Sequence, residues 1–223
     1  MSAAERSGED APRQELGFVY RVQRPAGPPH RTLVLLHGSG ADETTMLPLG
    51  RKIDAQATLI AVRGRIVQQG SRRWFTRIDP TRFRQKSIRT EARAFARLVG
   101  KLAVAEGFDP ERAVFVGYSN GANLISSAML LHPGLIRRAV LLRAMPVLDH
   151  APDADLAGAR VLVVAGARDE TYGPFAPALA SLLRARGACV EARTVSSGHE
   201  FGFLDAERIR AWLEDRPPAG QVS

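Results

Sequence analysis

The 223-residue sequence has a single cysteine, Cys189, which excludes an internal disulfide and leaves no thiol partner for a zinc site. No apolar run approaches the ~18 residues that a membrane-spanning helix requires. Residues 1–13 are polar and mixed in charge, without the hydrophobic stretch of a secretory leader. No segment repeats at a period of about 20–50 residues, so solenoids and propellers are set aside. Lysine is scarce, present only at Lys52, Lys86 and Lys101, and aromatic residues make up 6%. These shortages point to a soluble, cytoplasmic protein without stable membrane association. With 45% apolar and 24% charged residues, one domain of this length buries roughly 70% of its unfolded surface and needs no staple.

Charge of one sign is concentrated. Between residues 62 and 86, Arg63, Arg65, Arg72, Arg73, Arg77, Arg82, Arg84 and Lys86 face one acid, Asp79, for a net +7 out of +8 overall. The remainder is close to neutral, which argues against a protein that coats nucleic acid. One basic stretch without a binding motif reads as a solvated face, and no nucleic-acid partner is expected. The stretch also holds Trp74 and Phe75. If it covers a binding pocket, it would place a positive field at the mouth and favour anionic small molecules.

The polar ends, residues 1–15 and 216–223, are expected to be flexible, with Pro217 and Pro218 beyond the last helix. Between them, a single domain spans 16–215. Its apolar runs at 32–36 (TLVLL), 58–62 (TLIAV), 113–116 (AVFV), 139–142 (AVLL) and 161–165 (VLVVA) are short and continuous. Such runs suit strands covered on both faces, hence a parallel sheet. Residues 190–195 add a further strand, and 17–23 (GFVYRVQ) alternates as an edge strand would. Ile88, Ala92, Phe95, Val99 and Leu102 form one stripe on a helix of about 18 residues. Further helices are expected over 122–131, over 174–186 ending at Gly187, and over 205–214. Strands alternating with helices predict an α/β fold with a doubly wound, mostly parallel sheet. The connection 63–85 is too long to be a plain loop, so it is either functional or mobile.

Chemistry concentrates at the ends of the predicted strands. Gly117-Tyr118-Ser119-Asn120-Gly121 lies between the run AVFV and the helix that follows. A strand, a sharp turn and a helix around G-x-S-x-G would expose the Ser119 hydroxyl at the carboxyl end of the sheet. A serine nucleophile needs a base, and the base needs an orienting acid. Asp169 follows VLVVA, and His199 follows the strand at 190–195, so the order is serine, acid, histidine. Glu170 is the alternative acid; Asp169 is preferred because it lies nearer the strand end. His30, His132 and His150 sit in less suitable positions. The turn at 36–40 (LHGSG) can aim the Ser39 N–H at an oxyanion, and the Asn120 N–H directly follows the nucleophile. His37 is read as a support for that turn, and Asp42 and Glu43 as helix-capping acids. Met46, Met129 and Met145 read as core filler, and no cluster has metal-ligand spacing.

These segments resemble the phospholipase/carboxylesterase group of α/β-hydrolases, related to the acyl-protein thioesterases. The matching stretches are LLHGSGADE (35–43), VGYSNGAN (116–123), the acid of GARDE (166–170) and SGHEF (197–201). The resemblance implies a single-domain α/β-hydrolase without a separate lid domain and without a cofactor. It implies a catalytic triad of Ser119, Asp169 and His199, with Ser39 and Asn120 in the oxyanion hole. Trp74-Phe75 resembles the aromatic loop that this group places over the acyl pocket. The dienelactone hydrolases carry cysteine where this sequence has Ser119. The implied activity is a serine carboxylesterase on small to medium acyl esters. A thioesterase or peptidase with the same triad, or a non-catalytic binding protein on this fold, are the alternatives. The expected partner is a small-molecule ester, with anionic esters favoured if the basic stretch covers the pocket, and a homodimer is compatible with this reading.

Overall fold

The computed structural model describes residues 11–215. Eight strands form one sheet in the order β1-β2-β4-β3-β7-β8-β9-β10. These are β1 (Arg13–Glu15), β2 (Phe18–Gln23), β3 (Thr32–Leu36), β4 (Thr58–Arg63), β7 (Val114–Tyr118), β8 (Arg138–Leu142), β9 (Arg160–Gly166) and β10 (Cys189–Val195). From β4 to β10 all pairings are parallel, while β1–β2 and β2–β4 are antiparallel. A separate hairpin, β5 (Ile66–Gln68) with β6 (Ser71–Arg73), rises from the β4 end.

The continuous apolar runs are strands with both faces covered. Within β3, Val34 and Leu36 join one core, and Leu33 and Leu35 the other. Helices α2 (Gln85–Glu106), α3 (Asn120–Leu131) and α4 (Ala176–Ala185) bury their apolar residues in the first core. Helices α1 (Leu47–Ile53) and α5 (Phe203–Glu214) bury theirs in the second. This two-layered covering is the α/β-hydrolase arrangement, with every parallel strand end brought to one side of the molecule. No described helix is long and apolar enough to cross a membrane.

Several expectations need correction. Arg13–Glu15 belongs to the sheet as β1, not to a flexible segment; residues 1–10 and 216–223, including Pro217 and Pro218, lie outside the described residues. β2 is therefore not the edge. Its alternation arises because Phe18, Tyr20 and Val22 enter the core while the intervening residues are partly exposed. Helix α1 carries no clear periodic signal over its seven residues and escapes the sequence pattern. Asp42 and Glu43 do not cap it: Met46 occupies the cap position with no side-chain hydrogen bond. Asp42 instead accepts from the Thr44 N–H and hydroxyl.

The connection 63–85 is ordered by long-range contacts. Glu43 is buried and pairs with both Arg63 and Arg21. Burial alone would raise its carboxyl pKa, but the hydrogen bond and charge of Arg63, with the Glu43 backbone N–H and the hydrogen bond from Arg21, outweigh it and hold the carboxyl below its usual range. Arg65 pairs with Glu91 of α2, and Arg82 with Asp79. Arg63 and Arg65, two of the eight cations of this segment, are thus paired with acids elsewhere in the fold, which reduces the field expected from the sequence.

Candidate active site

Ser119 is the whole connection between β7 and α3. Its backbone has φ 50° and ψ −114°, a conformation that strains a residue bearing a Cβ. The chain turns this tightly because Gly117 and Gly121 permit close approach. A Cβ on Gly117 would lie 2.6 Å from Ala122 backbone atoms, and one on Gly121 would lie 2.4 Å from Leu36 O. The Ser119 N–H donates to Leu142 O at 2.8 Å, tying the turn to the end of β8. The side chain is left half-buried at the carboxyl end of the sheet.

Three side chains from three strand ends meet here. Ser119 Oγ lies 3.0 Å from His199 Nε2, and His199 Nδ1 lies 2.7 Å from Asp169 Oδ2. With Nδ1 donating to the carboxylate, Nε2 is left to accept the serine proton. Asp169 is buried and its other oxygen accepts from the Tyr172 N–H at 3.0 Å, whereas Glu170 is exposed. The Tyr118 and Tyr172 rings flank the imidazole, with centroids 5.4 and 4.7 Å away. Burial, opposed by Arg143 but reinforced by Asp169, Glu200 and Asp205, holds the Tyr118 phenol pKa above its usual value.

The LHGSG turn faces this group. Neither the Ser39 N–H nor the Asn120 N–H is used in any hydrogen bond among the described residues. The Asn120 side chain is engaged, accepting from the Trp74 N–H at 2.8 Å. His37 supports the turn: Nε2 accepts from the Gly64 N–H at 2.9 Å, and Nδ1 lies 2.6 Å from Gly38 O. Burial outweighs the Gly38 hydrogen bond and the nearby acids, and pushes the His37 pKa down, consistent with a neutral ring.

Trp74 and Phe75 do not wall the cleft. Both are fully buried (0% exposed), Trp74 against Phe18, His37 and Phe95, and Phe75 against Phe83. The Trp74 indole N–H donates to His37 O at 2.8 Å, and the Gly40 N–H donates to Arg72 O. The run Arg72–Trp74 therefore braces the turn from behind. The apolar and aromatic groups that do line the small cleft beside Ser119 are Pro80, Phe83 and Tyr172.

One buried arginine near the site escapes the sequence reading, and a second is named there only as part of the basic stretch. Arg143 follows β8 with φ 53° and is buried. Its guanidinium holds Asp205 at 2.8 and 3.0 Å and donates to Gly198 O, Ser197 Oγ and Glu200 O. It thereby grips the loop that carries His199, and Asp205 in turn accepts from the Gly202 N–H at the start of α5. An arginine directly after the apolar run AVLL is the one signal that could have flagged it. The other is Arg73, in the cleft itself. Among the described residues, no group of three or more histidine, cysteine, aspartate or glutamate side chains could hold a metal ion.

The family model described as phospholipase/carboxylesterase matches residues 19–151, a span that includes Ser39 and Ser119 but ends before Asp169 and His199. A crystal structure of a carboxylesterase from Mesorhizobium loti is 55% identical, covers 92% of this chain and 98% of its own, and superposes with a TM-score of 0.89. The Bacillus cereus carboxylesterase is 28% identical, covering 87% and 92%, with a TM-score of 0.82. MhqD of Bacillus subtilis, which bears a hydrolase name, is 31% identical over 194 residues, 85% of this chain and 95% of that one.

Proposed function

The chain belongs to the phospholipase/carboxylesterase family of hydrolases, and on that premise we propose that it is a serine carboxylesterase acting on small to medium acyl esters. The observation that carries this reading is the chain of hydrogen bonds from Ser119 Oγ through His199 to Asp169. Ser119 Oγ attacks the ester carbonyl carbon while His199 Nε2 takes its proton. The carbonyl oxygen becomes an oxyanion held by the Ser39 and Asn120 N–H groups. His199 then gives the proton to the departing alkoxide, leaving an acyl group on Ser119 and a free alcohol. Water repeats the sequence, releasing the carboxylic acid and restoring the hydroxyl. Asp169 keeps the imidazole in the tautomer with Nε2 free and stabilises the imidazolium. The proposal places this chemistry in the cytoplasm, a reducing compartment that the free, exposed Cys189 fits.

Rapid-mixing kinetics with p-nitrophenyl esters of graded acyl length test it. The expected result is a burst of p-nitrophenol stoichiometric with enzyme, followed by slower turnover, for the short and medium acyl chains. Absence of hydrolysis across ester, thioester and anilide series would reject the enzymatic reading.

A further inference from the structure

The cleft beside Ser119 holds an arginine for which the hydrolytic steps have no use. Arg73 closes β6 and is 7% exposed. Charges this buried are almost always paired. The comparably buried Arg143 meets Asp205 and four other acceptors. Arg73 makes one hydrogen bond, from Nη1 to Ser39 Oγ at 2.9 Å. Its Nε is buried without a partner, and no carboxylate among the described residues forms an ion pair with it. Arg77 lines the same cleft and has no ion pair among the described residues either. Burial first, and then the like charge of Arg77, hold the Arg73 pKa below its ordinary value against the opposing pull of Tyr172.

Two cations facing one small cleft lack a counterion that the protein does not supply. Resting on the reading of Ser119 as nucleophile, we infer that Arg73, assisted by Arg77, forms a carboxylate-binding subsite, and that the preferred substrates are short esters bearing a second, free carboxylate near the scissile carbonyl. The position follows from Ser39, which contacts Arg73 through its hydroxyl while offering its N–H to the reacting oxygen. The guanidinium thus stands one side chain away from the carbonyl site. Arg73, Arg77, Pro80 and Phe83 line the same small cleft as Ser119, so a short acyl chain can set its terminal carboxylate on the arginines and its methylenes against Pro80 and Phe83. A charged hydrogen bond of this kind is worth a factor of roughly 10 to 100 in recognition.

The test compares the methyl half-ester of glutaric acid with the methyl ester of its carboxamide, alongside calorimetric titration with glutarate and glutaramate. The wild type should favour the carboxylate ester at least about 10-fold in kcat/KM. Arg73→Gln should erase that preference, Arg77→Gln should reduce it, and Arg73→Lys should keep part of it. Glutarate should bind more tightly than glutaramate, and only while Arg73 is present. Equal kcat/KM for the two esters in the wild type, or an equal loss for both in Arg73→Gln, would overturn the inference and make Arg73 an aid to the oxyanion site alone. If neither ester is cleaved, it is the nucleophile reading that fails. Calorimetry then decides the subsite separately, Arg73-dependent glutarate binding supporting it and absent binding overturning it.

Discussion

At the centre of the sheet, Ser119 is held by its own chain. One residue joins β7 to α3, flanked by glycines whose missing Cβ atoms let Leu36 O and Ala122 come close. At the β9–β10 end, His199 is held from a distance. Its loop hangs on Arg143, 56 positions earlier, and its ring is oriented by Asp169 from the neighbouring strand end. The first arrangement stores its geometry in local backbone conformation, the second in buried charge pairing. The tight turn, tied to the distant Leu142 O and Leu36 O through backbone atoms alone, fails chiefly when a flanking glycine changes. Long-range pairing fails whenever either distant partner is lost, so the histidine side is the more easily disabled half of the site.

Three changes probe that contrast. Asp169→Asn should lower kcat by roughly 10⁴-fold, by the precedent of serine hydrolases, because the histidine then favours the wrong tautomer. Glu170→Gln, one position along and exposed, should cost less than about threefold in the same steady-state assay. If the ranking reverses, the orienting acid is Glu170 and the second half of the comparison must be redrawn. Next in size, Arg143→Met should cost about 3–5 kcal/mol of unfolding free energy in urea titrations, since Asp205 is left charged and buried without its partner. Adding Asp205→Asn should return part of that loss. A midpoint unchanged by Arg143→Met would mean that the His199 loop does not depend on this pair.

The smallest effect concerns the turn on the serine side. His37 is buried with a lowered pKa, whereas in the unfolded chain it titrates near 6.5. The unfolded state therefore binds the proton first, so stability is fully present above about pH 6.5 and falls as pH drops below it. His132, also lowered by burial, contributes in the same direction. Urea unfolding at pH 7.5 and pH 5.5 should show the wild type losing stability over this interval and His37→Asn losing less. Equal losses would remove His37 from the linkage.

What the sequence makes legible follows the same division. The five continuous apolar runs, the helix stripe through Ile88 and Leu102, and the strand–Ser119–helix junction all rest on near neighbours, and each appears where the pattern puts it. Arg143–Asp205, Glu43–Arg63 and Arg65–Glu91 join residues distant in sequence, so their pairing has no local signature. That is why the basic stretch reads as a +7 field, when part of it is a set of struts. It is also why Trp74 and Phe75 look like pocket residues: their depth is set by packing against Phe18, Phe95 and Phe83, which no spacing reveals. The 3-residue β1 and the 7-residue α1 are too short to carry a period.

The most direct test of the account is the site of covalent labelling by a fluorophosphonate, read by intact mass and peptide mapping. One phosphonyl adduct per chain is expected on Ser119, slowed in Asp169→Asn and absent from a Ser119→Ala variant whose circular dichroism shows it folded. Labelling that persists in the folded Ser119→Ala protein, or that maps to another serine, would contradict the assignment of Ser119 as the nucleophile.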